Sequence, residues 1–339
     1  MRHRLTIILG LALTLAMATG ALAGTVGETL VEGGAANQFA GDGNTTYLTW
    51  SANTTAHPRH YDAVFRPLAG GANVKMNAAG TIGYSGDING DTTEAIYQQA
   101  DGSSSDLYTY DLALQTRTAA PAAVNSSLWE WAPSVSDGYI LYGRYKFTRK
   151  SSPWRVMLYD RNADTNLVLD SVPQSCACIY PGQVSDDYAT WTRCTNSTCQ
   201  AWYYDIAGHT TSKVPNPNAK LQYFPSVSAA TGDIYFAQSA FACGKHVKIM
   251  EWNPVTGGVP TVVSAQPPGF DVYLGPNVFD DLTGHQDVYV DRQVCGGKYY
   301  ADIYVINDAD TALSRVVGHP SAGTTAPKQL RVPGATPRG

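Results

Sequence analysis

The sequence predicts an all-β fold in which a four-stranded antiparallel unit of roughly 48 residues is repeated six times and closed into one ring. Three observations predict it. The 339-residue chain holds 32 glycines and 21 tyrosines with only 15% charged residues, a composition of strands and turns rather than helices. A run ending in a bulky apolar residue and then a polar one recurs as "YDAVFRPLAGG", "SDLYTYDLALQT", "WRVMLYDRNADT", "AWYYDIAGHT", "VKIMEWNPVTGG" and "ADIYVINDADT". Its polar members are Arg66, Asp111, Asp160, Asp205, Asn253 and Asn307, at intervals of 45, 49, 45, 48 and 54 residues. A second run precedes each copy of the first: "FAGDGNTTYLTW", "GYSGDINGDTTEAIY", "APSVSDGYILYG", "YPGQVSDDYATW", "FPSVSAATGDIYF" and "GPNVFDDLTGHQDVYV".

In chain order, residues 1–23 read as a signal peptide: Arg2 and Arg4 precede an apolar stretch, and Ala21-Leu22-Ala23 fits cleavage before Gly24. This implies a secreted or periplasmic protein, and no later stretch is apolar for long enough to span a bilayer. Residues 24–318 form the repeat domain. The segment "GETLVEGG" ahead of the first copy is placed to add a closing strand to the last sheet, or else to belong to a seventh unit. Each unit reads as strand a, an acidic or glycine turn, strand b, a variable loop, strand c, a short turn and strand d. Four of the a strands carry a proline, Pro133, Pro181, Pro225 and Pro276, read as the first strand residue, where no ladder donor is lost. A lone sheet of this size cannot bury both faces, whereas a ring of them stacks face on face, as in a six-bladed β-propeller. Residues 319–339 lack apolar periodicity and read as a disordered tail.

The "P-x-V-S-D-G" turn and the "D-I-Y-V" strand resemble the TolB-type propeller repeats, from about Gly34 to Gly318 and most closely in the third to sixth units. The resemblance implies a six-bladed ring and an exported interaction scaffold, with a cell-envelope polymer or an exported protein as partner. A monomer is expected. The net charge of −5 argues against a dedicated nucleic-acid binder.

In such a ring the a–b and c–d turns lie at one end, and the b–c loops and d–a connections at the other. Cations gather at the loop-rich end: Arg59, Arg144, Lys146, Arg149, Lys150, Arg155, Arg193, Lys245, Lys248, Arg292 and Lys298. Acids gather in the a–b turns: Asp42, Asp87, Asp91, Asp137, Asp186, Asp187, Asp233, Asp280 and Asp281. Two readings stay open, a polarised molecule that attracts an anionic partner and Asp as the ordinary turn residue. The ligand-binding candidates on the basic end are Trp131, Arg144, Arg149, Lys150, Lys245 and His246. The six cysteines map to the same end and, after a secretory signal, favour disulfides. Cys194–Cys199 is the expected local staple and Cys243–Cys295 a bridge between neighbouring units, with Cys176 and Cys178 in the connection entering the fourth.

The segment "GDINGDTTEAIY" alternates oxygen ligands, Asp87, Asn89 and Asp91, with Glu94 beyond them, and so is a candidate calcium loop; an ordinary Asn-Gly turn is the alternative. Nucleophile-elbow, zincin and phosphate-loop motifs are missing from the sequence. Glu130, in "LWEWAP", is the glutamate best placed as a general acid beside aromatic rings. The competing function is a polysaccharide lyase or hydrolase at the central channel, with Arg144, Lys245 and His246 as its base and cation. His57 and His60 read as solvated.

Overall fold

The computed structural model describes residues 28–32, 38–54, 57–146, 152–173, 178–195, 198–239, 248–265, 271–280, 286–293 and 301–307. The segments expected to be a signal peptide (1–23) and a disordered tail (319–339), and Arg149, Lys150, Lys245, His246, Cys176, Cys243 and Cys295, lie outside the described residues. All regular structure among the described residues is strand, and no helix there is long and apolar enough to cross a membrane.

The chain enters as β1 (Glu28–Glu32) and then runs through successive antiparallel meanders. The first contains β2 (Gln38–Gly43), β3 (Tyr47–Thr54), β4 (His57–Pro67) and β5 (Val74–Lys75). The next contains β6 (Ile82–Ile88), β7 (Glu94–Ala100), β8 (Ser105–Asp111) and β9 (Thr116–Ala119). There follow β10 (Trp129–Val135), β11 (Tyr139–Tyr145), β12 (Trp154–Asp160) and β13 (Thr165–Val172), then β14 (Ile179–Val184), β15 (Tyr188–Cys194), β16 (Cys199–Asp205) and β17 (Thr210–Lys213). After β18 (Leu221–Val227), β19 (Ile234–Ser239), β20 (Lys248–Trp252) and β21 (Thr261–Ala265) come β22 (Asp271–Asp280), β23 (Gln286–Gln293) and β24 (Ala301–Asn307). The last meander takes its fourth strand from the start of the chain, because β1 pairs antiparallel with β24. A single parallel bridge, Trp129 to Ser105, joins the second and third meanders into one eight-stranded sheet; the others are separate four-stranded sheets.

The core lies between sheets rather than inside any one of them. Phe65 and Met76 of the first sheet meet Ile88 and Tyr97 of the second, and Ile96 and Leu107 meet Ile140 and Tyr142 of the third. Trp131 and Trp154 meet Ile179 and Trp191 of the fourth, whose Ala201 and Val214 meet Phe236 and Trp252 of the fifth. Middle strands are therefore covered on both faces. This is why "YILYGRY" in β11 reads as a nearly continuous apolar run rather than an alternating one. The fourth strands β9 and β17 are mostly solvent-facing and polar.

The first strand of each meander is the inner one. These strands touch in the order β2, β6, β10, β14, β18, β22, and β22 touches β2 again. Each carries a register shift against its partner, between Phe39 and Asp42, Ser85 and Asp87, Trp131 and Ser134, Pro181 and Val184, Tyr223 and Ser226, and Leu274 and Asn277. The four prolines sit at these bulges and not at the first strand position, so the expected location is corrected. The bulge, like a strand start, asks for no ladder donor.

The turns between third and fourth strands also repeat. Asp111, Asp160 and Asp205 each accept hydrogen bonds through Oδ1 from backbone N–H groups two or three residues on, and Asn253 Oδ1 does the same. Four residues after each cap the chain turns left-handed, at Gln115, Asp164, His209 and Gly257. Four of the six members of the recurring polar column are thus turn caps, whereas Arg66 lies over the Trp50 ring.

Candidate functional site

Near the turn end of the inner strands of the first five meanders, one side chain sits at or just after the bulge: Asp42, Asp87, Ser134, Gln183 and Ser226, all buried. Each of the first four accepts a hydrogen bond from the backbone N–H that follows the same position in the next sheet. Ile88 N donates to Asp42 Oδ2 (2.7 Å), Val135 N to Asp87 Oδ2 (3.3 Å), Val184 N to Ser134 Oγ (2.9 Å) and Val227 N to Gln183 Oε1 (3.4 Å). Antiparallel alternation makes this geometry available: the next residue closes the hairpin, as Asn89 N does to Glu94 O, so the donating N–H belongs to a non-hydrogen-bonded pair and points away from its own ladder. Asp87 also accepts from the Ser134 hydroxyl and, two sheets away, from Gln183 Nε2 at 3.0 Å.

The reading of Asp42 and Asp87 as turn acids is therefore corrected. They belong to the inner strands and are 1% and 3% exposed. Burial, then the neighbouring Asp87 charge, pushes the Asp42 carboxyl well above the ordinary carboxylate range. Burial raises Asp87 too, opposed by hydrogen bonds from Asp42, Ser134, the Val135 N–H and Gln183. One carboxyl in such a pair keeps its proton and donates it to the other. Asp42 is the proton holder, since Asp87 already accepts from three donors and Asp42 Oδ1 faces none.

Above this ring opens a cavity of about 220 Å³ lined by Asp42, Asn89, Asp91, Thr92, Ser136, Asp137, Gln183 and Asp186, with Val135, Val184 and Val227 supplying apolar wall. The turn acids hold the preceding sheet. Asp91 accepts from the Thr45 N–H and hydroxyl, Asp137 from Asn89 Nδ2 (3.0 Å) and Asp186 from Gly138 N (3.0 Å). Outside the cavity, Arg161 of the third sheet makes a bidentate pair with Glu94 of the second, at 2.9 and 3.0 Å, and also donates to Ser136 O.

The four candidate calcium ligands do not converge. Asp87 faces Ser134 and Gln183, Asn89 donates to Glu94 and Asp137, Asp91 turns to Thr45, and Glu94 pairs with Arg161. No three His, Cys, Asp or Glu side chains group as a metal site among the described residues.

At the loop-rich end, Glu130 is fully buried and paired with Arg144 (2.9 Å), whose Nη2 donates to the carbonyls of Ala123 and Val124. Burial raises the Glu130 carboxyl, against the lowering effect of Ser126 and Arg144. The arginine expected to meet a ligand and the expected general acid are thus engaged with each other, and Glu130 also accepts from the Ser126 hydroxyl. Trp131 is buried over Gly143, where an added Cβ would collide with the indole. It begins an aromatic row along the inner strands, Trp131 to Tyr180 (6.0 Å between centroids) to Phe224 (5.9 Å), with Tyr180 and Phe224 half-buried. Half-exposed Arg193 pairs with Asp170. Cys194 and Cys199 form the expected disulfide across the β15–β16 hairpin, and Cys178 is bonded to a partner outside the described residues. His60 lies 3.6 Å from Asp62. Sequence reasoning missed the inner ring, although its signal was the residue preceding Ile or Val in "GDI", "PSV", "GQV" and "PSV".

Fold and ring together define an all-β protein of bulged, repeated four-stranded sheets. No family model matches the chain, and no curated protein matches it in sequence. Solved structures match in fold. TolB from Acinetobacter baumannii superposes with a TM-score of 0.51 at 11% identity, over 78% of this chain; the chain spans 64% of that TolB. A TolB-like protein from Agrobacterium tumefaciens gives 0.52 at 12% identity, over 81% of this chain and 91% of that one. An oligogalacturonate lyase in complex with manganese gives 0.51 at 10% identity, over 83% and 91%. At these identities the likeness is one of fold, TolB-like, and it does not choose between binding and catalysis.

Proposed function

We propose that the chain is an exported binding module: a closed, six-bladed propeller that recognises an anionic cell-envelope polymer or an exported protein at its loop-rich end. Closure is supported by the inner strands touching in a cycle that returns to β2 and by β1 completing the last sheet. The observation that carries the binding reading is the half-buried aromatic pair of Tyr180 and Phe224 on neighbouring inner strands. Exposed aromatic faces suit a sugar polymer. Arg149, Lys150, Lys245 and His246 are proposed to extend this surface. Export by the 1–23 segment is part of the same proposal.

A second reading, a lyase acting on an acidic polysaccharide, draws support from the oligogalacturonate lyase fold matching nearly end to end. Against it stands Arg144, which Glu130 and two carbonyls already engage. The test is co-sedimentation of the mature protein with cell-wall material and with acidic polysaccharides, at low and high salt. Saturable binding that weakens with salt, and that falls at least tenfold in a Tyr180→Ala/Arg193→Ala variant, is expected. Soluble unsaturated fragments released in the same tubes would move the assignment to the lyase. Absence of binding to every polymer would leave an exported protein as the partner to be sought.

A further inference from the structure

Among the described residues, the inner strands hold two non-glycine residues in the left-handed region, Ala132 (φ 46°) and Phe224 (φ 47°). Each lies within the bulge of its strand and precedes a proline, Pro133 or Pro225. A left-handed φ is unfavourable for any residue that carries a Cβ, and a residue before proline favours extended backbone. Ala132 shows that the fold asks for no ring at this position. In the fifth sheet the conformation is imposed by two threonines of β15. Thr192 Oγ1 accepts from Phe224 N at 2.7 Å, and Thr190 Oγ1 donates to Pro225 O at 2.8 Å. Neither contact uses the Phe224 side chain.

The ring itself is only half-buried, 5.9 Å from Tyr180 with 63° between the planes and 6.2 Å from Tyr223. One edge-to-face pair returns free energy of the same order as the left-handed backbone costs, so stability alone does not select phenylalanine over alanine or glycine. A strained backbone fixed by its neighbours and carrying a half-open ring is the arrangement of a preorganised contact residue. We propose that Phe224 is the residue that selects for sugar in the polymer, its ring and that of Tyr180 forming a corner that packs on the C–H face of one sugar residue. This rests on the polymer binding proposed above and adds the residue that discriminates and the face it reads. A polysaccharide acid offers such a face, whereas a sugar-free polyanion such as polyphosphate does not. Cations answer to both polymers alike; the aromatic corner answers to one.

The test is equilibrium binding of the mature protein to polygalacturonate and to polyphosphate, for wild type, Phe224→Gly and Phe224→Tyr. Phe224→Gly is expected to bind polygalacturonate roughly tenfold more weakly. Its melting temperature is expected to be unchanged or raised, because glycine takes the left-handed φ freely. The loss is expected to be equal at low and high salt, since no charge is removed. Phe224→Tyr keeps the ring and is expected to bind polygalacturonate within about twofold of wild type. Polyphosphate binding is expected to be the same in all three proteins. Undiminished affinity for polygalacturonate in Phe224→Gly, a loss shared with polyphosphate, or a lowered melting temperature would overturn the role of Phe224 and leave the polymer binding standing. Wild-type protein that binds neither polygalacturonate nor cell-wall material would overturn the polymer binding and this contact with it.

Discussion

Two residue positions show local chemistry setting local shape. Gln115 adopts φ 55° in the turn between β8 and β9, a left-handed conformation that costs a non-glycine residue free energy, and its side chain is exposed. Gln115→Gly is expected to stabilise the protein by about 0.5–1 kcal/mol, read from the urea midpoint at constant slope. Asp111→Ala, which strips the cap from the N–H groups of Ala113 and Leu114, is expected to cost about 1 kcal/mol. Gly143 makes the opposite case. Its Cα lies under the Trp131 indole, so Gly143→Ala forces the ring to move and is expected to destabilise by about 1–3 kcal/mol or more. The polar turn column was legible in the sequence because Asp and Asn write the same cap each time. The left-handed residue was not legible, since Gln, Asp and His stand where a reader looks for glycine.

At the scale of the strand, the bulge absorbs the prolines, and the outward-pointing N–H beyond it bonds the side chain of the preceding sheet, which makes the inner strands a string of sheet-to-sheet hydrogen bonds. Two of its members are acids, and this gives stability a distinctive dependence on pH. Asp42 and Asp87 both hold protons to higher pH in the folded chain than in the unfolded one, where aspartate titrates near 3.9. The native state therefore binds more protons, so the contribution is complete below about pH 4 and declines as pH rises through the raised native values. Asp42→Asn supplies an N–H to Asp87 in place of the proton and can still accept from Ile88 N. Urea midpoints from about pH 4.5 to about pH 8 are expected to fall less steeply in this variant than in the wild type. An equal slope in the two proteins would place the titration elsewhere. Strand order and the repeat were legible because periodic apolar runs report burial. The ring was not, because one polar residue per strand looks the same in sequence whether it faces water or a neighbouring sheet.

For the whole molecule, a stack of sheets has two exposed ends unless the last meets the first. Here the last meander has only three strands of its own, and β1 supplies the fourth through pairs such as Thr29 with Val305 and Leu30 with Tyr304. The "GETLVEGG" segment carried that reading in sequence only as one of two choices, because a five-residue strand has no periodicity to declare its partner. On the proposed closed arrangement, the β1 ladder and the packing of β2 on β22 are the two junctions that resist opening. Deleting residues 28–32 leaves β24 as a bare edge and removes one junction. The melting temperature is expected to fall by roughly 5 °C or more, with new proteolysis in β22–β24. A synthetic peptide covering residues 24–33, added in excess, is expected to restore much of the loss by rebinding the edge. A deletion that left melting and proteolysis unchanged would mean that the ring is held at the β2–β22 face alone, and that the terminal strand adds a fourth ladder without closing anything.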